Sequence, residues 1–183
     1  PAEYSFRRKD GSTGYCISTI FSIPSMEGQQ CFVCMDVDNT ESKIAIGALQ
    51  LSERKYRAFF ENSMDGILLT IMDGCVLAAN SSACAIFGMT EAEIIQAGRN
   101  GLVDMTDPRL EKLLVERRET GKASGELTMK RANGEKFEAE ISSVVFIDGQ
   151  GEMKTSMIIR DVTERKKAEE KIRSSEERYR ALV

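Results

Sequence analysis

From Lys136 to Ile147 the chain alternates. Phe137, Ala139, Ile141, Ser143 and Val145 fall on one side, and Glu138, Glu140, Ser142 and Val144 on the other. A period of two with one largely polar side marks a strand in a sheet covered on one face. With runs at 124–131 and 153–162 it forms a predicted trio of strands, and a similar trio is predicted at 4–9, 14–23 and 30–37. After each trio the spacing changes to three and four. Ala45, Leu49, Ser52, Tyr56 and Phe59 follow the first trio, and Ala168, Ile172, Ser175, Tyr179 and Leu182 the second. Each set forms a narrow helical seam, suited either to pairing with another helix or to packing on its own sheet. Two heptads do not separate these readings.

The two trios belong to an internal repeat. Arg8-Lys9-Asp10-Gly11-Ser12 matches Arg131-Ala132-Asn133-Gly134-Glu135, and both are polar turns with Gly where a left-handed residue is wanted. Thr40-Glu41 matches Thr163-Glu164. Ser52 to Phe59 matches Ser175 to Leu182. These pairs share an offset of 123 (8 to 131, 40 to 163, 52 to 175). Asp36-Val37 is matched to Asp161-Val162, displaced by two. So long a period signals tandem domains rather than a solenoid.

Material present once lies between the copies. Gly66 to Met72 and Val76 to Ala79 read as strands joined by an Asp73-Gly74 turn. Asn80 is placed to cap a helix running to Phe87, with Gly88 closing it. Thr90 to Glu93 has capping-box spacing for a second helix. Asp107-Pro108 opens a third, which carries Leu110, Leu113, Leu114 and Arg117 at helical spacing and ends at Gly121.

In order and in residues, this resembles the PAS (Per-ARNT-Sim) sensory family. Phe60 to Ile67 is similar to the family's entry segment, and Asp73-Gly74 through Asn80 to Phe87-Gly88-Met89-Thr90 to its hairpin and first helix. Arg131 to Glu135 resembles the turn opening its C-terminal PAC motif, and Asp161-Val162-Thr163 resembles its Asp-x-Thr junction. The resemblance implies an α+β fold: a five-stranded antiparallel sheet with helices on one face, flanked by signalling helices and preceded by a partial three-stranded sheet. The expected boundaries are 1–40 for the trailing half of a preceding domain, 41–62 for a linker and entry helix, 63–163 for a complete domain and 164–183 for an exit helix. It also implies sensory input and dimerisation in a microbial two-component protein, with a histidine kinase as the commonest parent. The alternatives are a ligand-free structural spacer and a cofactor-bearing redox sensor.

Composition narrows the chemistry. The net charge of −4 is spread along the chain, against a nucleic-acid surface. No apolar run reaches the ~18 residues of a membrane span, and no signal peptide is visible. A start at Pro1 suggests excision from something longer. Five cysteines without framework spacing suggest free thiols in a reducing cytoplasm. There is no His, which removes the commonest general base and metal ligand. Neither an enzyme nor a metal site is expected. In the resembling family, heme is commonly held by a His near the third helix, one flavin branch uses an Asn-Cys-Arg-Phe-type motif, and another favours a Trp. None is present here, so no cofactor is expected. Cys31 and Cys34 fall on opposite faces of a strand, which fits buried free thiols better than a shared metal or disulfide. Cys75 and Cys84 are expected to be packing residues.

The cavity implied by the fold is expected to be lined by Leu69, Asn80, Phe87, Ile94, Val103, Leu110, Leu113, Leu114, Ile141 and Val145. Either these side chains fill it, or it holds a small apolar ligand oriented by Asn80. Asp161 and Thr163, with Arg57 as ion-pair partner of Asp161, are the expected signal-relay residues. The apolar face of residues 1–40 needs a cover, either the complete domain or a second chain, so a homodimer through the helices and this sheet is expected. An output domain in the parent chain is the other expected partner.

Overall fold

The computed structural model describes residues 2–24 and 30–180. Two compact units divide the chain, Pro1–Arg57 and Ala58–Val183.

The first unit is an antiparallel meander of β1 (Ala2–Arg7), β2 (Thr13–Pro24) and β3 (Gln30–Asp38). Gly11, at φ +85°, supplies the left-handed residue in the first turn. Cys16 stands opposite Tyr4 and Asp38, and Ser18 opposite Asp36, so these share one face. Helix α1 (Thr40–Glu61) follows and ends within the second unit.

The second unit holds a five-stranded antiparallel sheet in the order β5-β4-β8-β7-β6. Its strands are β4 (Gly66–Ile71), β5 (Val76–Ala79), β6 (Lys122–Lys130), β7 (Lys136–Ile147) and β8 (Met153–Asp161). This is the α+β architecture expected from the sequence. Three helices, α2 (Ser81–Phe87), α3 (Glu91–Leu102) and α4 (Pro108–Thr120), cover one face of the sheet, and α5 (Thr163–Arg180) leaves it. Phe87, Ile94, Leu102, Met129 and Ile159 are almost wholly buried between the layers.

The helix ends follow the local rules. Asn80 caps α2, and Gly88 closes it at φ +65°. Thr90 and Glu93 form a reciprocal capping box at the start of α3. Asp107 caps α4 through the Arg109 N–H, and Pro108 takes the first turn, where a missing N–H costs nothing. The chain pattern does not announce the break inside α3. Gly98, at φ +55° and ψ −168°, interrupts the helix, and the Arg99 N–H then donates to the Gly74 carbonyl at 2.9 Å. A side chain is strained at that dihedral, so glycine is needed there.

One expected residue is on the wrong face. Leu68 lies opposite Ala79 and Met157 on the covered side, whereas Leu69 pairs with Ala78 and Ser156 and turns to the other. Leu69 therefore does not line the interior. The cause is the period of two in β4, which reverses every side chain when the register is read one residue out.

Candidate functional site

Between the sheet and helices α3 and α4 lie two adjoining cavities of about 30 and about 20 Å3. Both are bounded by Arg99, Val103, Arg117, Met129 and Met157. Leu110, Leu113, Leu114, Leu127, Ile141 and Ser143 complete the first. By volume each has room for about one or two waters.

Of the candidate pocket residues, Val103, Leu110, Leu113, Leu114 and Ile141 line the first cavity. Phe87 and Ile94 are fully buried in the core outside it, and Phe87 meets Phe137 edge-on at 5.9 Å. Val145 is paired with Thr155 towards the far end of β7, beyond the cavity, and its N–H is bound to the Gly121 carbonyl at 2.7 Å. Asn80 has no capacity left for a ligand. Its Oδ1 accepts from Ile67 N at 2.8 Å and Ala83 N at 2.9 Å, while its Nδ2 donates to Phe60 O at 2.9 Å and Asp65 O at 3.1 Å. That side chain ties the entry of the domain to α2.

The polar wall of the cavity comes from residues the sequence reading did not select. Arg117 is only 4 % exposed, and its Nε is buried without a hydrogen-bond partner. Among the described residues no carboxylate pairs with it. Burial, and then the charge of Arg99, push its pKa below the usual guanidinium value. Arg99 donates from Nη2 to Met72 O at 3.0 Å; its pKa too is lowered by burial, against the opposing pull of Asp73 and Cys75. A signal for Arg117 existed in the chain, since it continues the apolar stripe of Leu110, Leu113 and Leu114. Arg99 had none, because its position depends on the break at Gly98.

The second feature is the junction between β8 and α5. Asp161 Oδ1 accepts from the Thr163 N–H at 2.9 Å, and its Oδ2 accepts from Arg131 Nη2 at 2.5 Å. The Arg131 guanidinium also lies 4.2 Å from the centre of the Phe137 ring and donates to the Ile86 carbonyl. Burial pushes the Asp161 carboxyl up, but the bonds from Thr163 and Arg131 outweigh it and leave the pKa lowered. Arg57 is not the partner expected for Asp161. It bonds Glu53 one turn back on α1 at 3.1 Å, while Arg131 takes the place because the turn between β6 and β7 brings it to the end of β8. The Thr163 hydroxyl is buried without a partner among the described residues. On the next turn Lys166 bonds Glu126 and stands 3.6 Å from Glu138, which also receives Arg109 at 3.1 Å.

The first unit repeats this junction at a constant offset of 123. Arg8 bonds Asp38 at 2.7 Å, and the Thr40 N–H donates to Asp38 at 2.9 Å, as Arg131, Thr163 and Asp161 do. Lys43 pairs with Glu3 at 2.5 Å, where Lys166 pairs with Glu126. Asn39 N bonds Tyr15 O, where Val162 N bonds Glu138 O. The counterpart of Asp161 is therefore Asp38 and not Asp36, and no displacement of two is needed. Asp36 instead faces Ser18 and accepts from the Tyr4 hydroxyl at 3.1 Å.

The thiols differ from expectation. Cys16 is buried and Cys84 half-buried, but Cys31, Cys34 and Cys75 are exposed. Cys31 and Cys34 sit on opposite faces of β3, opposite Ile23 and Ile20, and the sheet that bears them has neither face fully covered within its own unit. Cys75 follows the turn, where its N–H donates to Asp73. Among the described residues no three His, Cys, Asp or Glu side chains converge as a metal set, and no helix is long and apolar enough to cross a membrane.

A five-stranded antiparallel sheet with a helix-capped cavity and an Asp-x-Thr handover to an exit helix defines a class of sensory domain. The PAS domain family model matches residues 64–164, more than half of the chain, and the chain belongs to that family. Sporulation kinase E of Bacillus subtilis (strain 168) is 28% identical over 158 residues, which is 85% of this chain and 21% of that protein. The chain thus spans about a fifth of the curated relative's length. A PAS domain from Colwellia psychrerythraea shares the fold at a TM-score of 0.55 and 21% identity, covering 62% of this chain and 98% of that structure. The PAS domain of an HTR-like protein from Haloarcula marismortui does so at 0.54 and 24%, covering 65% and 98%.

Proposed function

We propose that the chain is a non-catalytic sensory input module of a cytoplasmic microbial signalling protein, with a histidine kinase as parent, and that it relays the state of its cavity to α5. The likeness to part of a sporulation kinase supports the parent. The observation that carries the relay is the Arg131–Asp161 pair. It joins a ring of the core, Phe137, to the first turn of the exit helix. A ligand acts there only through different affinities for two helix arrangements.

Homodimerisation through the helices belongs to the same proposal. Leu49, Phe59 and Ile172 are 69, 80 and 61 % exposed along the two seams, an apolar stripe that a second helix would cover. Leu182 and the Tyr179 side chain of the second seam lie outside the described residues.

Extraction of the purified chain for mass spectrometry, followed by hydrogen exchange of α5 with and without the recovered compound, tests the relay. A compound that changes exchange at residues 163–170 is the expected result. An empty, unresponsive chain favours the second reading, a structural spacer, which the small volumes of about 30 and about 20 Å3 support. A visible absorption spectrum tests for a cofactor-bearing redox sensor, and a colourless sample is expected.

A further inference from the structure

We infer that the cavity takes a small monocarboxylate, with its carboxylate on Arg117 beside Arg99 and its short aliphatic tail among Leu110, Leu113 and Leu127. This rests on the proposed sensory reading of the same cavity and names the ligand class for it.

Three observations lead there. A guanidinium is seldom fully buried unless paired, because removing its charge from water is costly. Arg117 is 4 % exposed, lines both cavities and has an unpartnered Nε, and among the described residues no carboxylate answers it. A second guanidinium, Arg99, bounds the same space, so two positive charges face it and none of the lining residues is acidic. An ordered water leaves the charge of Arg117 uncompensated, and an anion beside the guanidinium does not.

The chemistry of the walls selects the anion. The planar fork of a guanidinium offers parallel N–H groups, which match the two oxygens of a carboxylate. A phosphate or sulfate needs further donors, and the walls offer few. Ser143 points its hydroxyl to the Ala123 carbonyl at 3.4 Å, and most of the remaining lining is apolar. The volumes, about 30 and about 20 Å3, admit only a few heavy atoms, which favours the shortest acids, formate and acetate. Met129 and Met157 bound both cavities, and their unbranched side chains can repack to widen the space beside the tail.

The test measures the unfolding temperature of the chain with sodium formate, acetate, propionate and butyrate, each against its neutral amide at equal ionic strength. The inference expects at least one acid to raise the transition by roughly 3–6 °C at about ten times its dissociation constant. The amide of the same size should shift it by less than about 1 °C. Arg117→Met should unfold at a higher temperature than the native chain without ligand, since an unpaired charge is removed, and should lose the response to acids. If acid and amide raise the transition equally, the cavity binds ligands but not anions. The inference then fails while the sensory reading stands. If neither shifts it and solvent extraction recovers nothing, both fail. A lowered transition in Arg117→Met, or an unchanged response to acids, also overturns the inference. If that variant does not fold, the acid–amide comparison on the native chain decides alone.

Discussion

The guanidinium of Arg131 lies over the ring of Phe137 at 4.2 Å and reaches Asp161 at 2.5 Å, so one side chain joins the core to the start of α5. Asp161 then accepts the Thr163 N–H, as a capping carboxylate does. Asp161→Ala removes both bonds. The expected loss is about 0.5–2 kcal/mol, the range for a lost helix cap. The chain should stay folded, and amide exchange in residues 163–166 should accelerate while the core amides keep their protection. Urea unfolding and hydrogen exchange measure the two effects. Global unfolding of the variant would make Asp161 a structural residue rather than a relay.

Asn80 has the opposite character. All four of its hydrogen-bonding positions are taken, and the residue is fully buried. Asn80→Ala leaves two N–H groups and two carbonyls without these partners. Each buried orphan costs on the order of 1–3 kcal/mol, partly recovered by relaxation, so a loss of roughly 3 kcal/mol or more is expected by denaturant unfolding. A loss below about 1 kcal/mol would show that water replaces the amide.

Asp107 should govern part of the acid sensitivity. Its carboxylate accepts from Arg109 and from the Thr128 N–H at 2.8 Å, and these bonds, Arg109 foremost, hold its pKa well below the ordinary carboxylate value. A depressed carboxyl stabilises the fold above its unfolded pKa of about 3.9 and loses that contribution as pH falls through the lower folded value. Asp107→Asn is expected to cost about 1.5–3 kcal/mol at pH 7. Its stability should fall less steeply than that of the native chain below about pH 4. Urea titrations from pH 2 to 7 compare the slopes, and equal slopes would remove Asp107 from the acid transition.

These predictions also show what could be read in the chain. The caps at Asn80, Thr90 and Asp107 depend on three or four neighbouring residues, and local chemistry was enough to place them. The face of Leu69 was not readable, because a single step of register decides it and the register is set by β8, more than eighty residues away. The partner of Asp161 was misassigned for a similar reason. Arg57 and Arg131 are equally plausible as charges, and only the turn geometry chooses between them. Arg117 was visible as a charged residue on an apolar stripe, but that no carboxylate among the described residues pairs with it emerges only when those carboxylates have been placed. The repeat was legible at its turns and helices but not in β3, where Asp36 and Asp38 compete and the hydrogen bonds of Arg8 and Thr40 select Asp38.

Thiol labelling tests the three-stranded sheet of the first unit. Cys31, Cys34 and Cys75 are exposed, whereas Cys16 is buried and Cys84 half-buried, so a disulfide reagent should modify three thiols of the native chain and five in denaturant. Cys75 should react slowly, because the hydrogen bond and charge of Asp73 push its thiol pKa up and lower the thiolate fraction. Cys31 and Cys34 lie on opposite faces of the first-unit sheet, where Phe32 is 71 % and Ile20 67 % exposed. If a second copy covers one face, raising the protein concentration should slow labelling at one of these two cysteines and leave the other and Cys75 unchanged. Parallel light scattering should show mass rising over the same range. Labelling independent of concentration, together with a constant monomer mass, would separate the sheet from any dimer interface and leave the helix seams as the remaining candidates.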